Sequence, residues 1–377
     1  MKKGWQTQTI GDVCDLATGG TPSRAKPEYF GGHIKWLVSG DINQGEIFDC
    51  EGRITEAGKK NSNAKLLPVN SVMIALNGQG KTRGTVALLR TQATCNQSMV
   101  SISPKPSSGL LPEFLYANLH GRYEEIRRMT SDDDKDRRGL NMGLVRSIKI
   151  PIAPLAEQQR IVGLLDEAFE GLATAKANAE KNLQNARALF ESHLQSVFTH
   201  RGPGWVEKRL EECFRLKSGD GLISSAMKGG KYPVFGGNGI AGMHDEFNLS
   251  GDNVIIGRVG ALCGNARHIT ETIWLTDNAF RIVDRSFEFD GAFLTYLLNF
   301  KNLRSLARQA AQPVISNSSL KDLLLPFPEI DKQKMIAAQL DDLREETQRL
   351  ARLYERKQAA LEALKKSLLH QAFTGEL

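Results

Sequence analysis

Two stretches 175 residues apart decide how this chain folds: "PLAEQQRIVGLLDE" (154–167) and "EIDKQKMIAAQLDD" (329–342). The same offset, without a gap, aligns "ALFESHLQSVFT" (188–199) with "ALKKSLLHQAFT" (363–374), and "SIKIP" (147–151) with "DLLLP" (322–326). Identical pairs include Gln158/Gln333, Ile161/Ile336, Leu165/Leu340, Asp166/Asp341, Leu194/Leu369 and Phe198/Phe373. A gap-free match of this length marks an internal repeat.

Both stretches predict helices. Apolar residues recur at spacings of three and four: Ile161, Leu165, Ala168, Leu172, Ala175, Ala179, Ala186 and Leu189. The second copy gives Ile336, Leu340, Leu343, Leu350, Tyr354, Leu361, Leu364 and Leu368. Sustained heptad spacing predicts a coiled coil, with the polar Asn182 and Lys357 at equivalent d seats. Prolines 151 and 154, and 326 and 328, are expected to stop the preceding strand before each helix.

Working outward, the segments before each helix also correspond. "GW" (4–5) recurs at 204–205. "IKWLVSGDI" (34–42) falls opposite "YPVFGGNGI" (232–240), "NSVMIALNG" (70–78) opposite "DNVIIGRVG" (252–260), and "CNQSMVSI" (95–102) opposite "TDNAFRIV" (276–283). These runs read as short strands and glycine-rich loops. The offset drifts from 200 to 175, so the second copy is about 25 residues shorter, mostly in its first half. The expected fold class is α+β. Two mixed α/β domains (1–153 and 201–328) alternate with two long helices (154–200 and 329–377), the helices pairing as an antiparallel coiled coil. At ~1.5 Å per residue, roughly 40 residues of helix give a rod of about 60 Å.

Composition bounds the function. The chain has 377 residues, 24% charged and 41% hydrophobic, with a net charge of +6. The excess sits on the two expected domains: +6 over 1–154 and +2 over 201–328, against −2 over 155–200 and 0 over 329–377. That is compatible with a polyanionic partner. No apolar run is long enough for a membrane helix, and "MKKGWQTQTIGD" lacks the apolar core of a secretory signal. Five scattered cysteines with no CxxC pair argue against disulfides and zinc, and a cytoplasmic location is expected.

Several strings imitate catalytic motifs. "ALNGQGKT" (75–82) fits a loose Walker A, but "RGTVALLRT" follows it, a turn and a strand where a phosphate loop needs a helix. "FGGNG" (235–239) spells the FxGxG of S-adenosylmethionine-binding domains, yet turn residues follow it and no Asn-Pro-Pro-aromatic motif exists. The seven histidines make no HxxxH or HExxH spacing, so no metal site is expected. "SDDDKDRRG" (131–139) reads as a solvated loop whose arginines could touch phosphate. No catalytic residue emerges.

Taken together, "PLAEQQRIVGLLDE" and "EIDKQKMIAAQLDD" opening the helices, and "SVFT" and "QAFTGEL" closing them, resemble one family along the whole chain. So do "WLVSGDI", "NGQGKTRGTVA" and "YPVFGGNGIAG". It is the specificity subunit of type I restriction–modification enzymes. The resemblance implies a non-catalytic reader of double-stranded DNA, each domain contacting one half of a bipartite, asymmetric site. It implies helices that set the spacing and dock two methyltransferase subunits, with a nuclease/translocase subunit joining for restriction. S-adenosylmethionine, ATP and Mg would then belong to those partners, with no cofactor in this chain. Arg, Lys, Asn and Gln on glycine-rich loops can reach base edges or phosphates. The candidate DNA contacts are Gln79, Lys81 and Arg83 in the first domain and Asn238, Arg258 and Asn265 in the second. The competing reading is a coiled-coil adaptor joining two protein-binding heads without DNA.

Overall fold

The computed structural model describes residues 4–78, 81–130, 139–308 and 312–377. It divides into two compact units, one of Met1–Asn178 with Lys357–Leu377 and the other of Ala179–Arg356. Each unit therefore holds one head and a portion of both long helices.

In the first unit the central sheet runs Cys14–Thr18, Met99–Pro104, Val72–Ala75, Val86–Leu89, all antiparallel, and the parallel edge strand Glu46–Ile47 extends it. Val72–Ala75 reads "VMIA" without alternation because both of its faces are buried. Val72 and Ile74 enter one core, and Met73 and Ala75 another. A continuous apolar run of this length is what a strand covered on both sides requires. A small sheet of Arg53–Ile54, Phe30–Leu37 and Thr94–Cys95 packs nearby, and Gln6–Thr9 pairs with Lys149–Ile152.

The second unit repeats this topology. Its sheet runs Arg215–Ser218, Ala279–Val283, Asn253–Gly257, Ala266–Ile269. Its small sheet runs Gly239–His244, Tyr232–Gly236, Trp274–Leu275, and Val206–Arg209 pairs with Leu324–Phe327. The residues missing from the second copy can be located. Leu37 and Phe235 are equivalent at an offset of 198, since each pairs in parallel with its unit's short strand. Met73 and Ile255 are equivalent at 182, between the same two neighbours. Between these positions residues 38–52 of the first head are replaced by the two-residue turn Gly237–Asn238.

The long helices span Leu155–Thr199 and Ile330–Thr374, each 45 residues. In the first unit they run antiparallel: Arg160 donates to the Leu377 carbonyl at 2.9 Å while Lys176 pairs with Glu362 at 2.7 Å. In the second, Arg187 pairs with Glu355, and Leu194 and Phe198 share a core with Ile336 and Leu340.

The expected seam holds where each helix begins and shifts toward its C-terminal end. Leu189 and Leu364, expected inside, are 50% and 47% exposed. Phe190, against Tyr296, and Lys365, over the Phe169 ring, take their places. Likewise Asn182 and Lys357 are exposed, and Leu183 and Gln358 are half-buried instead. A straight α-helix drifts about 20° per heptad against a 3.5-residue repeat, so four heptads move the buried stripe by nearly one residue. A second correction concerns Pro151 and Pro326. They lie inside two-stranded pairings, opposite Thr7 and Glu207, where an edge strand tolerates the missing donor. Only Pro154 and Pro328 separate strand from helix. No helix among the described residues is long and apolar enough to cross a membrane.

Candidate nucleic-acid interface

The loop carrying Lys81 and Arg83 joins two antiparallel neighbours, Val72–Ala75 and Val86–Leu89. Backbone bonds close it: Ala75 donates to Thr85, Gly84 to Ala75 and Thr85 to Thr82. Gly84 sits at φ 83°, a left-handed conformation that glycine adopts without cost. The Lys81 carbonyl accepts from Thr85 Oγ1 at 2.7 Å and from the Tyr123 hydroxyl at 2.9 Å, which fixes the backbone and leaves the side chain exposed. Arg83 is half-buried, its Nε without a hydrogen-bond partner. Gln79 lies outside the described residues. A strand follows this loop, where a phosphate loop continues into a helix.

In the second head the loop 258–265 occupies the same place, between Asn253–Gly257 and Ala266–Ile269. Arg258 stands where the first head has Leu76: its N–H donates to Asn278 as that of Leu76 donates to Ser98. The Arg258 guanidinium lies over Phe280, 5.4 Å from the ring centroid, and reaches Ser218 Oγ and the Asp277 carbonyl. The backbone of Asn265 closes the loop, donating to Leu262 and accepting from Gly257. Asn238 is more committed than its sequence context indicated. Its Oδ1 accepts from the Leu262 N–H at 2.9 Å, and a Cβ on Gly260 would stand 2.7 Å from that oxygen. Asn238 thus fastens the "FGGNG" turn to the 258–265 loop. That turn leads straight into the strand Gly239–His244, where the S-adenosylmethionine motif is followed by a helix.

Residues outside the sequence-based set complete each edge. In the first head Arg127 donates to the Tyr123 hydroxyl, which in turn holds Lys81, and Leu140 donates to the Leu76 carbonyl. In the second, Ile315 donates to Arg258, Gly260 to Pro313, and Arg304 reaches the Ala261 carbonyl at 2.5 Å. Leu140 and Ile315, and the helix caps Asn141 and Ser316, are related by the 175-residue offset. That signal was available to bring these segments to the loops. Residues 131–138 of "SDDDKDRRG" lie outside the described residues; Gly139 packs against Asn77 and Leu76. Among the described residues no His/Cys/Asp/Glu group could hold a metal, and all five cysteines are buried and unpaired.

Two hairpin loops at equivalent sheet edges, each carrying cations and amides on short glycine-bearing backbone, suit groove and phosphate contact. The family model for the type I restriction modification DNA specificity domain matches twice, over residues 2–183 and 203–358. The chain belongs to the type I restriction–modification DNA specificity subunits. It is 29% identical to the EcoprrI specificity subunit of Escherichia coli, covering 88% of this chain and 86% of that protein. The EcoR124I/EcoR124II specificity subunit, also from E. coli, is 30% identical over 42% of this chain and 40% of that protein. Among solved structures, the HsdS subunit of Thermoanaerobacter tengcongensis superimposes with a TM-score of 0.70 at 20% identity, covering 100% of this chain and 98% of that one. A chain from a study of type I system assembly and conformational transition gives 0.77 at 19% identity, over 100% and 99%. These superpositions share the fold of two mixed α/β heads and two long helices. The specificity subunit's role is DNA recognition within a restriction–modification complex, which disfavours the adaptor reading.

Proposed function

We propose that each head of this specificity subunit reads one half of a bipartite, asymmetric DNA site. The chain performs no chemistry itself. Lys81 and Arg83, with Gln79 beside them in sequence, serve the first half-site, and Asn238, Arg258 and Asn265 the second. The observation that carries this reading is the duplication itself. The same strand–loop–strand edge is built twice from diverged residues, as two readers of different sequences require. Two methyltransferase subunits would dock on the helices, and a nuclease/translocase subunit would join for restriction. S-adenosylmethionine, ATP and Mg would then belong to those partners.

The test is DNA binding by the chain together with its methyltransferase partner. Lys81→Ala should weaken site binding and lower the slope of log affinity against log salt by about one. ATP hydrolysis by the purified chain, abolished in that variant, would contradict the assignment.

A further inference from the structure

The two hairpin loops end in the same turn. In the first head Ala75 donates to Thr85, Gly84 to Ala75 and Thr85 to Thr82; in the second Gly257 donates to Asn265, Gly264 to Gly257 and Asn265 to Leu262. Gly84 and Gly264 both take a left-handed φ, 83° and 87°. The strands that follow start at Val86 and Ala266, each paired with the equivalent residue of its neighbour, Ile74 and Ile256. Residues 82–85 therefore correspond to 262–265, and the residue before the turn is Lys81 in one head and Ala261 in the other. A side chain holds the carbonyl of that residue in both. The Tyr123 hydroxyl donates to Lys81 at 2.9 Å, and Arg304 Nη1 donates to Ala261 at 2.5 Å.

The two grips come from one segment of the head. A Cβ on Gly84 would stand 3.8 Å from Ile126 Cγ2 and 3.9 Å from the Arg127 nitrogen, and one on Gly264 would stand 2.5 Å from the Arg304 nitrogen. Ile126 and Leu303, the residues before these arginines, are both buried in their cores. Arg127 and Arg304 are therefore equivalent, lying between the head helices Pro112–Gly121 and Gly291–Phe300 and the pair Leu140/Ile315. Arg304 takes the loop carbonyl itself. Arg127 donates to the Tyr123 hydroxyl at 2.8 Å, with its guanidinium 6.0 Å from the ring centroid, and Tyr123 passes the bond on. A cationic donor makes the stronger hydrogen bond, and a hydroxyl that accepts from one donates more strongly in turn. The same cation thus acts on the same carbonyl in both heads, directly in one and by relay in the other.

We propose that Arg304, and Arg127 acting through Tyr123, are equivalent positioning residues that fix the two reading loops for base discrimination. Between the first strand and the held carbonyl the first head has two residues more than the second, and this limb carries Gln79 in one and Arg258 in the other. Each loop can thus vary its reading residues over a turn that stays in place. Contacts that recognise a partner must be held within roughly 0.5 Å of their productive geometry. A loop released from its clamp keeps its charge, and with it the attraction for phosphate, but loses that placement. Removing the clamp therefore costs specificity rather than electrostatic affinity, and it does so in one half-site at a time.

This inference rests on the DNA-reading assignment and has its own test. The full chain with its methyltransferase partner would be titrated onto a duplex carrying its methylated motif, and onto duplexes with one base pair changed in either half. One such change ordinarily costs roughly 5- to 150-fold in affinity. Tyr123→Phe removes one hydroxyl and no charge; it should lower the strongest of these ratios by about tenfold in one half-site and leave the other half intact. Arg304→Met should do the same to the other half, which keeps the test open if either variant fails to fold. Arg127→Met should match Tyr123→Phe, and the two together should do no more than either alone, because they act in series on one carbonyl. The slope of log affinity against log salt should not change in Arg304→Met, whereas a direct phosphate contact would shrink it by about 0.9. Undiminished discrimination in the folded variants, a smaller slope, or additive effects at Tyr123 and Arg127 overturns the clamp while leaving loop-based reading intact. Absence of specific DNA binding by the wild-type complex would instead defeat the reading assignment itself.

Discussion

Gln158 and Gln333 make the same three hydrogen bonds at the start of the two long helices. The Oε1 of Gln158 accepts from the Leu111 N–H at 2.8 Å, and its Nε2 donates to the carbonyls of Gly109 and Ala153, both at 2.8 Å. Gln333 accepts from Asp290 at 3.1 Å and donates to Glu288 at 3.2 Å and Pro328 at 2.8 Å. Leu111 and Asp290 are the N-caps of the head helices Pro112–Gly121 and Gly291–Phe300. Each glutamine, fully buried, therefore clamps the long helix to its own head.

Removing either clamp strands buried backbone groups. Gln158→Ala and Gln333→Ala should each lower stability by about 2–3 kcal/mol, the cost of leaving one donor and two acceptors unsatisfied. Denaturant unfolding checks the size. Faster hydrogen exchange at the Leu111 or Asp290 amide, confined to the unit mutated, checks the cause. A change below ~0.5 kcal/mol would mean that water replaces the side chain.

An aromatic trio closes each unit. Phe114 packs against Trp5 and Phe373 in the first, and Phe293 against Trp205 and Phe198 in the second, with centroids 5.1–6.1 Å apart. In the second unit the chain runs covalently from Phe198 to Trp205. In the first unit the equivalent Phe373 and Trp5 lie near opposite chain ends. A permutant joined from Leu377 to the N-terminus by a few residues and opened at the exposed Gly202 should fold with stability within ~1 kcal/mol of the parent. Chemical denaturation gives the comparison. A requirement for a long joining peptide would contradict the shared packing.

Much of this was legible in the sequence. The 175-residue offset marked the two glutamines, the two phenylalanines and the helix register at both ends, because packing to a head fixes those residues. The C-terminal part of each helix was misread at Leu189 and Leu364, where strict heptads ignore the drift of a real helix. Asn238 looked like a free loop amide because nothing local announces that Leu262 will donate to it.

The buried thiols set an alkaline limit. Burial pushes the Cys14 and Cys95 thiols up to about 12 and Cys213 up to about 11. In the unfolded chain thiols ionise near ~8.5. A pKa raised on folding gives stability that is full below the unfolded value and lost as pH rises toward the folded one. Stability should therefore fall progressively from about pH 9 to 12. At pH 8 a thiol reagent should label none of the five cysteines in the native protein and all five in denaturant. Rapid native labelling of Cys14 or Cys95 would show that their cores open.

The central claim is that two heads read two half-sites, and mapping of methylated bases tests it most directly. Cells expressing the chain with its methyltransferase partner should carry methylation at one bipartite, asymmetric motif. Lys81→Ala with Arg83→Ala should relax or abolish recognition of one half only, and Arg258→Ala should affect the other half only. A single uninterrupted motif, or substitutions in either loop altering both halves alike, would contradict the account.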